Sequence, residues 1–252
     1  MVLDIQNIEQ KRIQAVDAAL GKVETIYFDD EQWVVRYLVA KRGFWIFSRR
    51  LLVSPVSVTH QLSQDGEIMV NATKEDAEKA PTAESRQPIS RRKEEQFFRY
   101  HRMPVYWGGA GLWGGSMTPM EAGTVTYQPT AESEPDASGV EEEYHLRSTR
   151  EVEGYKVRTN DEQIGTVASF LVEDSTWAIR YLRIDAKPEI GGGALYVSPH
   201  WVSDISWLEA TLTLDLPTSR LIEVPTIGVK GTLSREDEEA LHTFFGQPRY
   251  WR

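Results

Sequence analysis

The chain contains an internal repeat, and this repeat constrains its fold more than any other feature of the sequence. A shift of 144 residues places Gly21 on Gly165 and residues 33–38 (Trp-Val-Val-Arg-Tyr-Leu) on residues 177–182 (Trp-Ala-Ile-Arg-Tyr-Leu). No gap is needed between the first matching segment and the last. The sequence therefore predicts two copies of one fold. The other matching segments are Leu51-x-Val53-Ser54-Pro55 with Leu195-x-Val197-Ser198-Pro199, Ser90-Arg91-x-x-Glu94-Glu95 with Ser234-Arg235-x-x-Glu238-Glu239, and Pro104-x-Tyr106-Trp107 with Pro248-x-Tyr250-Trp251.

The two predicted copies span residues 3–107 and 147–251, and residues 108–146 form a connector. The connector begins with Gly-Gly-Ala-Gly-Leu-Trp-Gly-Gly and continues through a stretch rich in Pro, Thr, Ser and Glu. Its second half carries little apolar surface with which to offset the entropy lost on ordering. We therefore predict two modules joined by a connector whose second half is disordered or loosely attached.

Each copy is predicted to open with a β-hairpin. Residues 33–39 alternate in period two and are rich in aromatic and β-branched side chains, a pattern typical of a strand. Residues 21–28 form another extended run, and the polar residues 29–32 between the two runs predict a turn. The second copy repeats this pattern at residues 165–172 and 177–184. Further strands are predicted at residues 44–47, 50–54, 56–62, 67–71, 194–198, 201–207 and 211–216.

Strands this short and closely spaced favour antiparallel sheets that close into small barrels, because closure removes exposed edges. Thr73 is a candidate N-cap for a short helix over residues 74–79 that ends before Pro81. Ser90 and Ser234 are candidate N-caps for helices of about ten residues, and acidic residues in their first turns suit the helix dipole. The predicted fold class is mainly β, with two small antiparallel barrels that are each followed by short helices.

The order of these motifs resembles the PRC-barrel family. Each copy has Gly-x-Val, then Asp-x-x-Trp-x-x-Arg-Tyr-Leu (residues 30–38 and 174–182), then Val-Ser-Pro (residues 53–55 and 197–199). This family is named for the cytoplasmic domain of the photosynthetic reaction-centre H subunit and includes the C-terminal domain of the ribosome maturation factor RimM. The Pro-x-Tyr-Trp endings and the glycine-rich connector further resemble a bacterial subgroup with two tandem modules. The resemblance implies two PRC-type barrels.

The resemblance implies several functions, none of them enzymatic. In the reaction centre the module caps a membrane complex and assists proton delivery to a quinone, whereas in RimM it helps to dock on a ribosomal protein. We expect no counterpart of the transmembrane anchor of the H subunit or of the N-terminal domain of RimM in this sequence. The leading hypothesis is therefore a non-enzymatic binding or scaffold protein with an unidentified protein partner. A reaction-centre-like role in electron or proton transfer and a RimM-like role in ribosome assembly stay as alternatives, and a homo-oligomer is compatible with all three.

The charge balance disfavours nucleic acid as a partner. The chain has 38 acidic and 28 basic residues, for a formal charge of −10, so its average surface repels phosphate backbones and anionic lipids. It contains no cysteine, which excludes disulfides and thiolate sites and fits a reducing compartment. Neither a signal peptide nor a transmembrane segment is predicted. We expect a cytoplasmic protein, with peripheral docking on a membrane complex as an alternative.

Two arginines occupy the same strand position in the two copies. Arg36 and Arg180 are candidate contacts for an acidic partner or an anionic ligand, since a guanidinium suits carboxylates and phosphates. The structural alternative pairs each arginine with an acid of its own hairpin, Asp30 or Asp174, and lays the aliphatic stem on apolar surface. The sequence favours the structural alternative because both copies carry the arginine.

Residues peculiar to one copy are better candidates for a binding surface. Trp45, Trp201 and Trp207 have no tryptophan counterpart in the other copy, whereas Trp33 and Trp177 recur and are expected in the cores. The first long helix is predicted to open with Arg91 and Arg92, while the second opens with Arg-Glu-Asp. A solvated helix face explains this difference, and a basic docking patch in the first copy is the alternative.

The sequence gives no catalytic, cofactor-binding or metal-binding candidates. Gly109, Gly111 and Gly114 spell Gly-x-Gly-x-x-Gly, but a dinucleotide site needs that motif between a strand and a helix, so we expect an aromatic-glycine strap that packs on a barrel. The five histidines are scattered without metal-ligand spacing. Neither Ser54 nor Ser198 has a nearby histidine and acid that would mark an activated nucleophile.

Overall fold

A computed structural model describes residues 1–42, 49–60, 62, 66–80, 89–125, 144–221, 223–224, 227 and 232–251. The chain is mainly β, as predicted, and has two multi-strand sheets. Two compact units contain these sheets. The first unit comprises residues 8–150 and 174–178, and the second comprises residues 1–7, 151–173 and 179–252.

The sheet of the first unit has seven strands in the order β5-β4-β3-β2-β6, with β8 paired to both β3 and β7. All pairs are antiparallel except β2 with β6. The strands are β2 (Arg12–Gln14), β3 (Ala19–Asp29), β4 (Val34–Arg42), β5 (Arg49–Val53), β6 (Ile68–Met69), β7 (Ile89–Ser90) and β8 (Tyr144–Ser148), and the helices are α1 (Lys74–Lys79), α2 (Arg91–His101) and α3 (Pro119–Ala122).

The sheet of the second unit has eight strands in the order β12-β11-β10-β9-β14-β13, with β1 paired to both β10 and β15. Here the parallel pair is β9 with β14. The strands are β1 (Val2–Asp4), β9 (Lys156–Arg158), β10 (Gln163–Glu173), β11 (Ile179–Ala186), β12 (Gly193–Val197), β13 (Val202–Ser206), β14 (Thr211–Leu214) and β15 (Thr232–Leu233), and the helices are α5 (Thr218–Leu221) and α6 (Arg235–Phe245). The short helix α4 (Thr149–Val152) begins with the last two residues of the first unit and ends with the first residues of the second.

The predicted hairpins are confirmed in both units. In the first, the Asp29 carboxylate accepts hydrogen bonds from the backbone amides of Glu31 and Gln32, which fixes the turn between β3 and β4. Trp33 and Trp177 end the turns with positive φ angles of 55° and 62°, a conformation that few non-glycine residues adopt. Both tryptophans are buried, as expected.

The predicted closure into barrels is not confirmed, because no sheet of described strands closes on itself. The strand predicted over residues 56–62 was wrong where it is described: Pro55–Ser57 form a 3-10 turn, and Val58 makes a single bridge to Val70. In the second unit the turn Pro199–Trp201 separates β12 from β13 in the same way. Proline lacks the N–H that a continuous ladder requires. The strand predicted at residues 44–47 and the second half of the connector lie outside the described residues.

The predicted helices are present. Thr73 and Ser234 each form a capping box, with Asp76 and Asp237 respectively, at the start of α1 and α6. Ser90 occupies the N-cap position of α2 without a side-chain capping bond. The long helices α2 and α6 keep the 144-residue shift at both ends, and so do β3 and β10.

The strand that begins each sequence repeat pairs with the other repeat. In β1, Asp4 lies opposite Leu171 of β10, and in β8, Ser148 lies opposite Tyr27 of β3. The 144-residue shift converts one pairing into the other, so the exchange is reciprocal. The compact units therefore differ from the predicted modules at residues 1–7, which belong to the second unit, and at residues 147–150 and 174–178, which belong to the first.

Asp4 anchors its strand in the second unit. Its buried carboxylate accepts hydrogen bonds from Ser169 Oγ, from Arg183 Nη1 at 2.9 Å, and from the Gln6 amide at 3.0 Å. The equivalent contact in the first unit is neutral: the Thr25 and Ser148 hydroxyls lie 2.9 Å apart. The second unit therefore depends on a charge at the N-terminus of the chain.

Replacing Asp4 by alanine is expected to lower the free energy of unfolding by about 3 kcal/mol, because Arg183 and Ser169 lose their buried partner. Hydrogen exchange should show the loss of protection in β10 and β11, and unchanged protection in β3 and β4. Glu31→Ala, at an exposed turn position, is the control and should change stability by less than about 0.5 kcal/mol. Loss of protection in β3 instead would contradict the exchanged pairing.

Candidate functional site

A buried carboxylate lies at the centre of the first unit. Glu94, on the inner face of α2, is fully buried. Its Oε1 accepts hydrogen bonds from the hydroxyls of Tyr106 at 2.7 Å and Tyr37 at 3.3 Å. Its Oε2 lies 2.8 Å from His145 Nε2 and 3.3 Å from Arg91 Nη1. The helix, β4, β8 and the segment after α2 therefore meet at one carboxylate.

The two tyrosines act as hydrogen-bond donors in this cluster. Burial raises the pKa of Tyr37 and of Tyr106 well above the ordinary value, and the charge of Glu94 raises both further. Both phenols are therefore neutral at physiological pH and keep the proton that they donate to Glu94.

Arg36 lies beside this cluster and is completely buried. Its Nη2 donates to Gln32 Oε1 at 2.7 Å and to Asp29 Oδ2 at 3.3 Å, and its Nη1 donates to the Leu112 carbonyl at 2.6 Å. The guanidinium lies 3.6 Å from the centre of the Tyr106 ring. Burial lowers the pKa of Arg36, but an arginine remains a cation because its ordinary pKa is far above neutral.

The predicted acidic partner of each arginine was wrong by one residue. Arg36 pairs with Asp29, and Arg180 Nε donates to Glu173 at 3.0 Å. Asp29 is the last residue of β3, which has a register shift against β4 at Arg36, whereas Asp30 lies one residue further in the turn and accepts from Arg147 at 3.0 Å. Asp174 instead accepts a hydrogen bond from the Leu62 amide.

The second unit contains the equivalent cluster around Glu238 of α6. The Tyr250 hydroxyl donates to Glu238, and Arg235 Nη1 lies 2.9 Å from it. Arg180 lies 3.9 Å from the centre of the Tyr250 ring. Burial raises the pKa of Glu238, against the opposing effects of Tyr250 and Arg235. The two clusters thus share a carboxylate, a tyrosine and a stacked arginine.

A comparison with known families assigns the beginning of the chain. A PRC-barrel domain is found by sequence similarity at residues 2–77. This confirms the predicted resemblance for that range, and residues 147–251 are not matched by the family. No curated protein matches the chain significantly. The PRC-barrel domain includes Arg36 and Tyr37, whereas Glu94 and Tyr106 follow it in the sequence.

The arginines predicted as partner contacts divide into buried and exposed ones. Arg36 and Arg180 are held within their units, which favours the structural alternative for both. Arg91 is half-buried, with its guanidinium 4.3 Å from the centre of the Trp107 ring, and Arg92 is exposed. Of these four candidates, Arg92 therefore presents its side chain most openly to solvent.

The predicted tryptophans lie in different surroundings. Trp201 is half-buried, and its ring centre lies 4.5 Å from that of Phe245. Trp207 is half-buried near Tyr155, with ring centres 6.2 Å apart. Trp45 lies outside the described residues. Sequence reasoning missed Glu94, Tyr106 and their counterparts Glu238 and Tyr250 as site residues, although all four recur at the 144-residue shift.

The glycine-rich start of the connector packs in the first unit. A Cβ at Gly109 would lie 2.2 Å from the Gly114 carbonyl oxygen, and one at Gly111 would lie 2.3 Å from that of Ser116, so backbone contact explains these glycines. The Gly111 and Gly114 amides donate to backbone carbonyls. Trp113 is buried and its Nε1 donates to the Thr176 carbonyl at 2.8 Å. This packing fits the predicted strap.

Matched truncations of the two arginines are expected to differ in cost. Arg36→Ala should lower the free energy of unfolding by about 4 kcal/mol, because it leaves Asp29 buried and unpaired and removes the contact with Tyr106. Arg180→Ala should cost about 2 kcal/mol, since Arg180 and Glu173 retain some exposure to water. Urea unfolding measures both values, and equal costs would contradict the interpretation.

Glu238 is expected to make stability depend on pH. A carboxyl with a raised pKa in the folded state stabilises fully below the unfolded pKa of about 4.3, and this stabilisation is lost as pH rises through the folded pKa. The stability of the wild type relative to Glu238→Gln, measured by urea unfolding, should therefore fall as pH rises above about 4. Glu236→Gln, at an exposed position of the same helix, is the control. A relative stability that rises with pH would refute the assignment.

Proposed function

We propose that this protein is a non-enzymatic binding or scaffold protein in which residues 147–251 form a second PRC-barrel-like module. The PRC-barrel domain at residues 2–77 suggests a binding or scaffold role. In the proposal, the interiors of the two modules are equivalent, and the surfaces that the modules present are different. The exposed basic face of α2 contacts an acidic segment of a partner protein.

The main observation in support of this proposal is a difference in charge at equivalent positions of α2 and α6. Arg92, Gln96 and Arg99 are exposed and lie four and three residues apart, so they share one face of α2. Their counterparts in α6 are Glu236, Ala240 and Thr243. The shared fold does not require a basic face, because α6 folds without one.

The placement of the other polar groups supports a binding role. The Ser54 and Ser198 hydroxyls accept from the amides of Val56 and His200 and so cap 3-10 turns. His242 contacts the Tyr181 hydroxyl and the Pro248 carbonyl, and His145 contacts Glu94. These side chains have structural partners, which leaves the exposed helix face as the better candidate for function.

An acidic protein segment is the partner chemistry that suits this face. Arginine side chains form charge-assisted, often bidentate hydrogen bonds with carboxylates. Because the chain has a formal charge of −10, the rest of its surface repels an acidic partner. Such a partner is therefore oriented toward the basic face of α2. Binding through exposed charges weakens as salt rises.

Two features bear on the alternatives without deciding between them. None of the helices in the described ranges is long and apolar enough to span a membrane. The same ranges contain no cluster of three or more His, Cys, Asp or Glu side chains arranged to hold a metal ion. The reaction-centre-like role, the RimM-like role and the cytoplasmic location stay predictions.

Reversing the charge of the α2 face should abolish partner binding. Affinity capture from the source cell is expected to recover a protein with an acidic segment on the wild type at low salt, and to lose it on Arg92→Glu/Arg99→Glu. The expected loss in affinity is at least about tenfold, since two charge contacts become repulsive. Quantitative mass spectrometry of the captured proteins, at two salt concentrations, measures the effect.

Lys22→Glu/Lys156→Glu is the matched control, because it changes the net charge by the same amount at two exposed strand positions. It should retain the captured protein. The proposal fails if all three proteins capture the same set, or if no protein is enriched while the purified chain turns over a small molecule.

A further inference from the structure

A row of basic side chains crosses the outer face of the first sheet. Directly opposed positions on β2, β3, β4 and β5 carry four cations, which are Arg12, Lys22, Lys41 and Arg50. Three of them are exposed, and Arg50 is half-buried. Adjacent strands lie about 4.8 Å apart, and like charges at directly opposed positions destabilise a sheet. The row therefore lowers the stability of the unit that carries it.

The second unit has the same strand register without these charges. At the 144-residue shift, the equivalent row consists of Lys156, Thr166, Asp185 and Ala194. One cation and one anion there take the place of the four cations. The fold does not require a basic row, because the second unit forms the same pairs without one. Charges that repel one another and that the fold does not require indicate an anionic partner.

Two acidic side chains neutralise the ends of the row and leave its middle charged. Glu67 Oε1 lies 3.9 Å from Arg12 Nη1 at one end. At the other end, Glu24 Oε1 lies 3.3 Å from Lys41 Nζ, and the second Glu24 oxygen contacts the last arginine of the row. Lys22 is exposed and forms no ion pair with any residue that the structure describes. Four cations and two carboxylates leave a net charge of +2 around Lys22.

The same face also exposes two apolar side chains. Side chains that face outward recur at every second residue, so Gln14 and Val16 continue the face that the row begins. Met69 of β6 lies opposite Gln14 on this face. Val16 is 65% exposed and Met69 is 41% exposed. Their counterparts in the second unit are Asn160 and Thr213, so apolar groups join the cations only in the first unit.

Cations beside exposed apolar groups suit the surface of an anionic bilayer. Lysine and arginine are attracted to anionic lipid headgroups, and apolar side chains enter the boundary between headgroups and acyl chains. The chain as a whole has a formal charge of −10, but at physiological ionic strength a charge acts over only about 8 Å. The groups nearest the lipid therefore decide the interaction. Asp17 follows Val16 and reduces the attraction, so the contact is weak and sensitive to salt.

We propose that the outer face of β2, β3 and β4 docks on a membrane surface that contains anionic lipids. Lys22 and its two neighbours in the row contact the headgroups, and Val16 and Met69 enter the boundary with the acyl chains. The contact is peripheral and reversible. It uses no residue of the α2 face, so it goes beyond the proposed partner binding, and either proposal can fail without the other.

Sedimentation of the full chain with lipid vesicles tests this contact. The wild type is expected to bind vesicles of phosphatidylglycerol and phosphatidylcholine at low salt, and not vesicles of phosphatidylcholine alone. Lys22→Thr/Lys41→Thr should weaken the binding at least about tenfold, because two cations leave the anionic surface. Lys156→Thr/Lys187→Thr is the matched control. It removes the same charge from exposed positions of the second unit and should bind like the wild type.

The apolar side chains have their own measurement. Val16→Asn/Met69→Thr introduces the residues of the second unit and keeps every charge, and it should weaken vesicle binding about fivefold. Circular dichroism checks the fold of each variant. Lys22→Thr alone removes an exposed side chain and should weaken binding about fivefold, so it decides the matter if a double variant does not fold.

Four results would overturn the proposal. The wild type could bind neither kind of vesicle, or both equally well. The second-unit control could lose as much binding as Lys22→Thr/Lys41→Thr, or the binding could be lost on Arg92→Glu/Arg99→Glu and kept on Lys22→Thr/Lys41→Thr. Unchanged binding by Val16→Asn/Met69→Thr would also contradict it, since a soluble polyanion needs only the charges.

Discussion

A buried carboxylate on a helix, held by a tyrosine hydroxyl and an arginine, is the interaction on which each unit depends. Glu94 and Glu238 each receive hydrogen bonds from the segment that follows their own helix. A carboxylate without such donors is expensive to bury, so the Pro-x-Tyr-Trp segment must return to the helix for the unit to be stable. The stacked arginines then join the hairpin to the same tyrosines. This explains why the matching segments of the repeat extend past residue 77, where the PRC-barrel domain ends.

The reciprocal exchange of β1 and β8 means that the sequence domain and the compact unit are different objects. The PRC-barrel domain begins at residue 2, yet residues 1–7 belong to the second unit. Exchange between repeats is inexpensive because equivalent strands present the same ladder and the same side-chain alternation. The units have nevertheless adapted to their exchanged strands. Asp4 meets Arg183 in the second unit, whereas Ser148 meets Thr25 in the first.

Local elements were predictable from the sequence, and long-range contacts were only partly so. The hairpins and the helices α2 and α6 follow from side-chain alternation and from capping residues within a dozen residues of sequence. Their predicted positions therefore lay close to the observed ones. Glu94 and Tyr106 recur in the second copy, but recurrence alone does not identify the side chain that each of them contacts. The exchange was not predictable at all, because β1 has the same pattern whichever sheet it joins. Barrel closure is not confirmed among the described strands, and at Pro55 and Pro199 the missing amide interrupts the ladder that the strand spacing suggested.

The differences between the copies point to function, because the residues that are identical in both copies are explained by the fold. Every residue of the two carboxylate clusters that recurs at the 144-residue shift has a partner inside its own unit. One of the remaining differences lies on α2: its exposed face is basic where α6 is acidic or neutral. The C-terminal end of α2 also lines a cavity. A duplicated fold gives its second copy freedom to change, since the first continues to meet the original requirement. In this chain the basic face and the cavity both lie at the same helix, α2 of the first unit.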